Sequence, residues 1–205
     1  MSNSASEKRA SFFPGYYVVP AAMLISLVSG GTTTLAYYVN GLMVNAGLID
    51  STVSGMCTSI VSICSVLFSA TCGMMHRKLG NKKAIMIGFL VPIIGFALEG
   101  TLGASNYLMI GASFLYGFCL VCVSKLGTPV VVRKWFDRRA ALPMALVIAS
   151  ASMSSFLTKP IANLVEKYSY RAGWYFIMGL CILAFVITVF FIRSDVEECG
   201  EVPDS

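Results

Sequence analysis

Polar and glycine-marked breaks divide an otherwise apolar chain into six long runs, at residues 16–38, 53–75, 84–103, 107–132, 140–165 and 173–192. At a rise of about 1.5 Å per residue, about twenty helical residues cross the ~30 Å hydrocarbon layer of a bilayer. Polar residues inside the runs recur at helical spacing. Ser26, Gly30, Thr33, Tyr37 and Asn40 follow one another at steps of four, three, four and three, and Thr58, Ser62, Ser65, Ser69 and Cys72 keep the same rhythm. Ser152, Ser155 and Lys159 share a face within a stretch of small residues at 149–155. Such stripes serve either close packing of membrane helices or the lining of a polar cavity. The pattern predicts an all-α polytopic membrane protein with six transmembrane helices.

Composition agrees. Hydrophobic residues make up 57% of the chain and charged residues 12%, with a mean hydropathy of +0.77, too apolar for a soluble domain. The net charge of +5 needs no nucleic-acid partner, because eleven of the 15 basic residues fall in alternate connections. Lys8 and Arg9 precede the first run, Arg77, Lys78, Lys82 and Lys83 follow the second, Arg133, Lys134, Arg138 and Arg139 follow the fourth, and Arg193 follows the sixth. The positive-inside rule then predicts a multi-pass protein of the cell membrane with both termini cytoplasmic. Residues 1–13 form a polar leader, 14–193 the helical bundle and 194–205 the start of an acidic cytoplasmic segment. The first apolar run exceeds a signal-peptide core and lacks a small-x-small cleavage pattern, so it is expected to remain as a helix.

Intramembrane charge narrows the chemistry. Lys125 lies eight residues before Arg133, roughly 12 Å from the basic end. It either binds an anionic substrate in a cavity or sends its stem back to the headgroups. Lys159 is expected to snorkel at the outer interface. Tyr37 and Thr33 on the first helix, with Ser152 and Ser155 on the fifth, are candidate substrate ligands, the Tyr37 phenol being a donor suited to a carboxylate. Glu99 is a candidate proton-coupling group. His76 is expected to be solvated in the loop after the second helix. Cys57, Cys64, Cys119, Cys122 and Cys181 fall within apolar spans and form no disulfide framework; Cys119-x-x-Cys122, flanked by Phe118, Leu120, Val121 and Val123, reads as membrane packing. The chain carries no His-Glu-x-x-His or Gly-x-Ser-x-Gly motif and no paired intramembrane carboxylates, so neither enzymatic catalysis, a metal nor a cofactor is expected.

The connection Gly73-Met-Met-His-Arg-Lys-Leu-Gly80-Asn-Lys-Lys resembles the loop between helices two and three of the major facilitator superfamily, which usually reads Gly-x-Leu-Ala-Asp-Arg-x-Gly-Arg-Arg. Gly73, Lys78, Gly80 and Lys82 match, whereas Arg77 stands where the family has aspartate. In the family that carboxylate helps to close the cytoplasmic side, so gating by the same contact is not expected here. Arg133-Lys134-Trp135-Phe136-Asp137-Arg138-Arg139-Ala140 resembles the Lys-Trp-Phe-x-x-Arg-Arg-Gly loop of the oxalate/formate antiporter and monocarboxylate transporter branches, with Ala140 for the glycine. The entry Pro14-Gly15-Tyr16-Tyr17-Val18-Val19 and the segment Tyr170-Arg171-Ala172-Gly173-Trp174 are similar to the same branches. The resemblance implies two three-helix repeats forming half of a twelve-helix fold, a small organic anion (monocarboxylate or dicarboxylate) as substrate, and transport by antiport or symport through alternating access. It also implies a second six-helix half, supplied by continuation of the chain, a homodimer or a separate subunit. The alternatives are a membrane protein that docks partners without transporting, or an inactive half-transporter.

Overall fold

The computed structural model describes residues 15–103, 105–136 and 141–192. Six long helices account for nearly all of them: α1 (Gly15–Asn45), α2 (Ser51–Leu79), α3 (Asn81–Leu102), α4 (Asn106–Trp135), α5 (Ala141–Lys167) and α6 (Tyr170–Phe191). All six are long and apolar enough to cross a membrane. This is the expected polytopic membrane fold, with some ends displaced. The basic residues Arg77 and Lys78 belong to the last turn of α2, not to a loop. The connection shrinks to Gly80, whose φ of 81° is open to glycine and costly for other residues. The leader 1–13, the residues Arg138, Arg139, Ala140 and Arg193, and the acidic segment 194–205 lie outside the described residues.

Two helices are irregular, each just ahead of a proline. In α4 the stretch Leu120–Gly127 is π-helical, followed by Pro129. In α5 the stretch Met153–Leu157 is a 3₁₀ turn, followed by Pro160. Proline lacks the backbone N–H and crowds the preceding turn, so the hydrogen-bond ladder must widen or tighten around it.

The helices pair in a pattern that maps onto itself when α1–α3 is exchanged with α4–α6. The broadest contacts join α3 to α6, α2 to α4 and α1 to α5, with α1 on α6 and α3 on α4 as the next matched pair. This is what two three-helix repeats produce. Equivalent glycines allow the crossings. A Cβ on Gly30 of α1 would stand 2.8 Å from the Ala151 carbonyl oxygen of α5, and one on Gly117 of α4 would stand 2.8 Å from Cys64 Cβ of α2. Lipid tails are as apolar as leucine, so close van der Waals approach and internal hydrogen bonds, rather than water exclusion, hold such helices together.

α1 is the most enclosed span and α4 the next. The stripe on α1 is therefore mainly packing: Ser26, Gly30, Thr33 and Asn40 are buried, and only Tyr37 is half-exposed. At the end opposite the basic loops, Phe96 stacks on Tyr116 at 4.4 Å and on Trp174 at 6.0 Å, tying α3 to α4 and α6. At the basic end the Lys82 ammonium donates to the Val189 carbonyl at 2.7 Å, satisfying an acceptor in the last turn of α6.

Gly117→Val is expected to lower the stability of the purified protein in detergent by about 1–3 kcal/mol through overpacking against α2. Gly111→Val, where a Cβ meets nothing within 4 Å, is expected to leave the thermal midpoint nearly unchanged.

Candidate functional site

Lys125 sits inside the π-helical stretch of α4, ten residues before Trp135. Its Nζ donates to Ser65 Oγ of α2 at 3.1 Å, and Ser65 Oγ donates in turn to the Ser62 carbonyl at 2.8 Å. Ser65 is 14 residues from the basic end of α2, about 21 Å along the axis. The ammonium is thus directed into the bundle's depth and not toward the basic end. Ser65 is buried, while Lys125 is exposed on the bundle face.

The exposed surface of α2 has two characters. Thr58, Ser62 and Ser69 are exposed on one flank, with Ser65 and Cys72 buried at its edge. About 100° or more around the helix, Met56, Ile63, Leu67 and Met74 are exposed on the other. On α5, Ser152, Ser155 and Lys159 are exposed together. Counted at about 1.5 Å per residue from the end opposite the basic loops, Ser65 and Ser152 lie about 21 and 22 Å in, and Ser155 and Thr33 about 18 Å in. These groups share one layer of the bundle. Within it Thr33 is turned inward, its hydroxyl donating to the Gly30 carbonyl at 3.0 Å. Tyr37 lies a turn farther out, about 12 Å from the end of α1, packed against the core. The structure therefore places Lys125 with Ser65, and does not bring it to Tyr37.

Glu99 on α3 is 2% exposed and accepts a hydrogen bond from the Tyr116 phenol of α4. It lies three residues from the end of α3, one turn nearer that end than Phe96.

His76 corrects the expectation of a solvated loop residue. It is 8% exposed; its Nε2 donates to the Cys122 carbonyl at 2.9 Å and its Nδ1 faces Asn81 Oδ1 at 3.1 Å. The histidine braces the π-helical stretch against α2 and the α2–α3 turn. A signal for this was present, because His76 continues the buried series Val61, Ser65 and Cys72 at steps of four, seven and four. Cys122 is packed in the same place, its thiol donating to the Ala84 carbonyl at 3.2 Å. Among the described residues no cluster of three or more histidines, cysteines and carboxylates could hold a metal.

The family model of the Major Facilitator Superfamily matches residues 20–202. The chain belongs to the Major Facilitator Superfamily. Among its curated relatives are monocarboxylate transporter 12 of Mus musculus, 27% identical over 145 residues, and of Homo sapiens, 25% identical over 144 residues, each match covering 67% of this chain. The MFS-type transporter pynF of Aspergillus niger is 24% identical over 135 residues, covering 64% of this chain. The matches span 29%, 27% and 30% of those relatives, so the chain spans less than a third of their length. The relatives are transporters, not enzymes, and the fold is that of half a Major Facilitator protein.

Within the superfamily's helix two to three connection, this member distributes its residues unequally. Gly80 makes the turn, Lys82 caps α6, and Arg77 and Lys78 remain exposed. No atom would meet a Cβ at Gly73 within 4 Å, so that glycine leaves an open place on α2.

Replacing His76 by Phe keeps much of the volume and removes both polar contacts. It is expected to cost about 1–3 kcal/mol, because the Asn81 amide loses its partner inside the bundle. Thermal unfolding of the purified variant against the parent measures this loss.

Proposed function

We propose that the protein is a secondary transporter of a small organic anion, and that this chain forms the amino-terminal half of the translocation path. The observation that carries the reading is Lys125, a cation at membrane depth that points to a hydroxyl on α2 in place of the basic end. A charge at that depth is costly unless it faces a partner or a wet cavity. The relatives named as monocarboxylate transporters favour a monocarboxylate over other anions.

In this reading Lys125 supplies the counter-charge, Ser152, Ser155, Thr33 and Tyr37 line the path, and a second six-helix half closes the opposite wall. That half comes from continuation of the chain, a second copy or a separate subunit. Substrate then binds between the halves near the midplane, and rocking of one against the other alternates access. Glu99 is the buried carboxyl we assign to proton coupling, with Tyr116 as its hydrogen-bond donor. The excess of basic residues at the end holding Arg77, Lys78, Lys82, Lys83, Arg133 and Lys134 supports a cytoplasmic location for that end, for both termini, and a place in the cell membrane. In this reading the connection holding Gly73, Arg77, Lys78, Gly80 and Lys82 gates through positive charge and not through the family's carboxylate contact.

Uptake of a radiolabelled short-chain monocarboxylate by cells producing the protein in its natural length tests this. Lys125→Ala is expected to lower uptake at least tenfold at unchanged membrane abundance, with Lys125→Arg retaining part of it. Unchanged uptake in Lys125→Ala contradicts the assigned site, and no uptake of any organic anion by the parent protein contradicts transport and favours a docking role. Glu99→Gln is expected to abolish the response of uptake to an imposed pH gradient; a preserved response removes Glu99 from proton coupling.

A further inference from the structure

Lys125 holds its ammonium against the direction that a lysine in a membrane helix takes when nothing restrains it. It lies ten residues before Trp135, about 15 Å from the basic end, and a free stem at that depth bends toward the nearer headgroups. The atom it meets instead is Ser65 Oγ, at 3.1 Å. Ser65 is the central residue of α2, 14 positions from Ser51 and 14 from Leu79, so the acceptor lies about 21 Å from the same end. The stem therefore runs about one helical turn away from the basic end, to the middle of the bundle.

Both helices contribute to this direction. The hydroxyl proton of Ser65 goes to the Ser62 carbonyl at 2.8 Å, which leaves the oxygen's lone pairs for the ammonium, and Ser65 is buried where α2 packs on the π-helical stretch. On α4 the Thr128 N–H bonds to the Val123 carbonyl, five residues back. That wider turn adds one residue to the helix, equal to about 100° of register. No carboxylate shares the depth: among the described residues the carboxylates are Asp50, Glu99 and Glu166, each within three residues of the helix end opposite the basic loops. The neutral Ser65 hydroxyl takes one of the three N–H donors of the ammonium. Two remain for an anion.

We infer that Ser65 is a positioning residue for anion recognition, anchoring the Lys125 ammonium at mid-depth so that the site is set for a carboxylate before substrate arrives. The inference rests on the reading that Lys125 supplies the counter-charge. Ser65 acts through Lys125 and does not itself receive the substrate. Preorganisation of this kind acts on affinity: without the acceptor the four-carbon stem turns toward the headgroups, and each binding event must bring it back. Rocking of the halves does not involve this bond, so the maximal rate is independent of it.

Concentration-dependent uptake of radiolabelled propionate by cells producing the protein in its natural length tests the role. Ser65→Ala is expected to raise KM about tenfold at unchanged Vmax and membrane abundance, the effect of losing one hydrogen bond to a charged group. Ser65→Thr keeps the hydroxyl and is expected to retain most of the affinity, with Ser65→Cys, a weak acceptor of nearly serine size, between the two. A packing role would rank these variants by volume, and would lower abundance or Vmax in place of affinity. Ser59→Ala removes a hydroxyl bonded to the Gly55 carbonyl on the apolar flank of α2 and is expected to leave KM unchanged. A parental KM in Ser65→Ala, an equal rise in Ser59→Ala, or a loss confined to Vmax or abundance overturns the positioning role. Lys125→Ala separates this from the underlying reading. If it abolishes uptake while Ser65→Ala leaves KM unaltered, only the positioning role fails; if uptake survives in Lys125→Ala, or the parent shows no saturable uptake, the anion site fails and the inference with it.

Discussion

Backbone polar groups inside a bilayer have no water to bond, so any break in a helical ladder at membrane depth must be satisfied from within the protein. The rest of the bundle depends on how α4 meets this demand. Pro129 removes one donor, and the ladder ahead of it widens into the π-helical stretch Leu120–Gly127. Thr128 returns its hydroxyl to the Val123 carbonyl at 3.3 Å, and His76 reaches from α2 to the Cys122 carbonyl. Lys125 sits between these two braces. The wide turn would be unstable on a lipid-facing surface, and it is tolerated where α1, α2 and α3 pack around it.

The braces draw on both repeats. α2 and α3 supply His76 and Asn81, while α4 supplies the irregular backbone and the deep cation. The matched glycine contacts, Gly30 on α5 and Gly117 on α2, hold each repeat's first helix against the other repeat's second. The approximate two-fold exchange thus places the hydroxylated flank of α2 and that of α5 in equivalent positions, both exposed. A membrane protein has no gain in presenting serine to lipid. Those two flanks, with Lys125 between α2 and α4, are the surfaces best explained by a wet path or an opposing half.

The six spans and the helical class were legible because long apolar runs leave few alternatives, and the loop residues Gly80, Trp135 and Phe136 carry a recognisable order. Helix ends were less so. The charges of Arg77 and Lys78 suggest a loop, yet a helix longer than the hydrocarbon layer carries its last charged turn into the headgroups as helix. The α1 stripe was ambiguous for a physical reason: Ser26, Gly30 and Thr33 satisfy close packing and cavity lining equally well by spacing, and only the neighbouring α5 decides. His76 was misplaced because its partners, Asn81 and the Cys122 carbonyl, are respectively five and 46 residues away and one of them is backbone. A backbone carbonyl released by a π-helical turn leaves little trace in sequence beyond the proline that follows.

Transport along this half requires α2 to present its hydroxylated flank to water and its apolar flank to lipid. Single cysteines at Ser62 and Ile63, adjacent in depth and about 100° apart around the helix, measure this directly in membranes with a membrane-impermeant maleimide, in a background lacking native cysteines. Rapid labelling at Ser62→Cys with protection at Ile63→Cys is the predicted result. Equal protection at both positions would place the serine flank in lipid or in sealed packing and contradict the account.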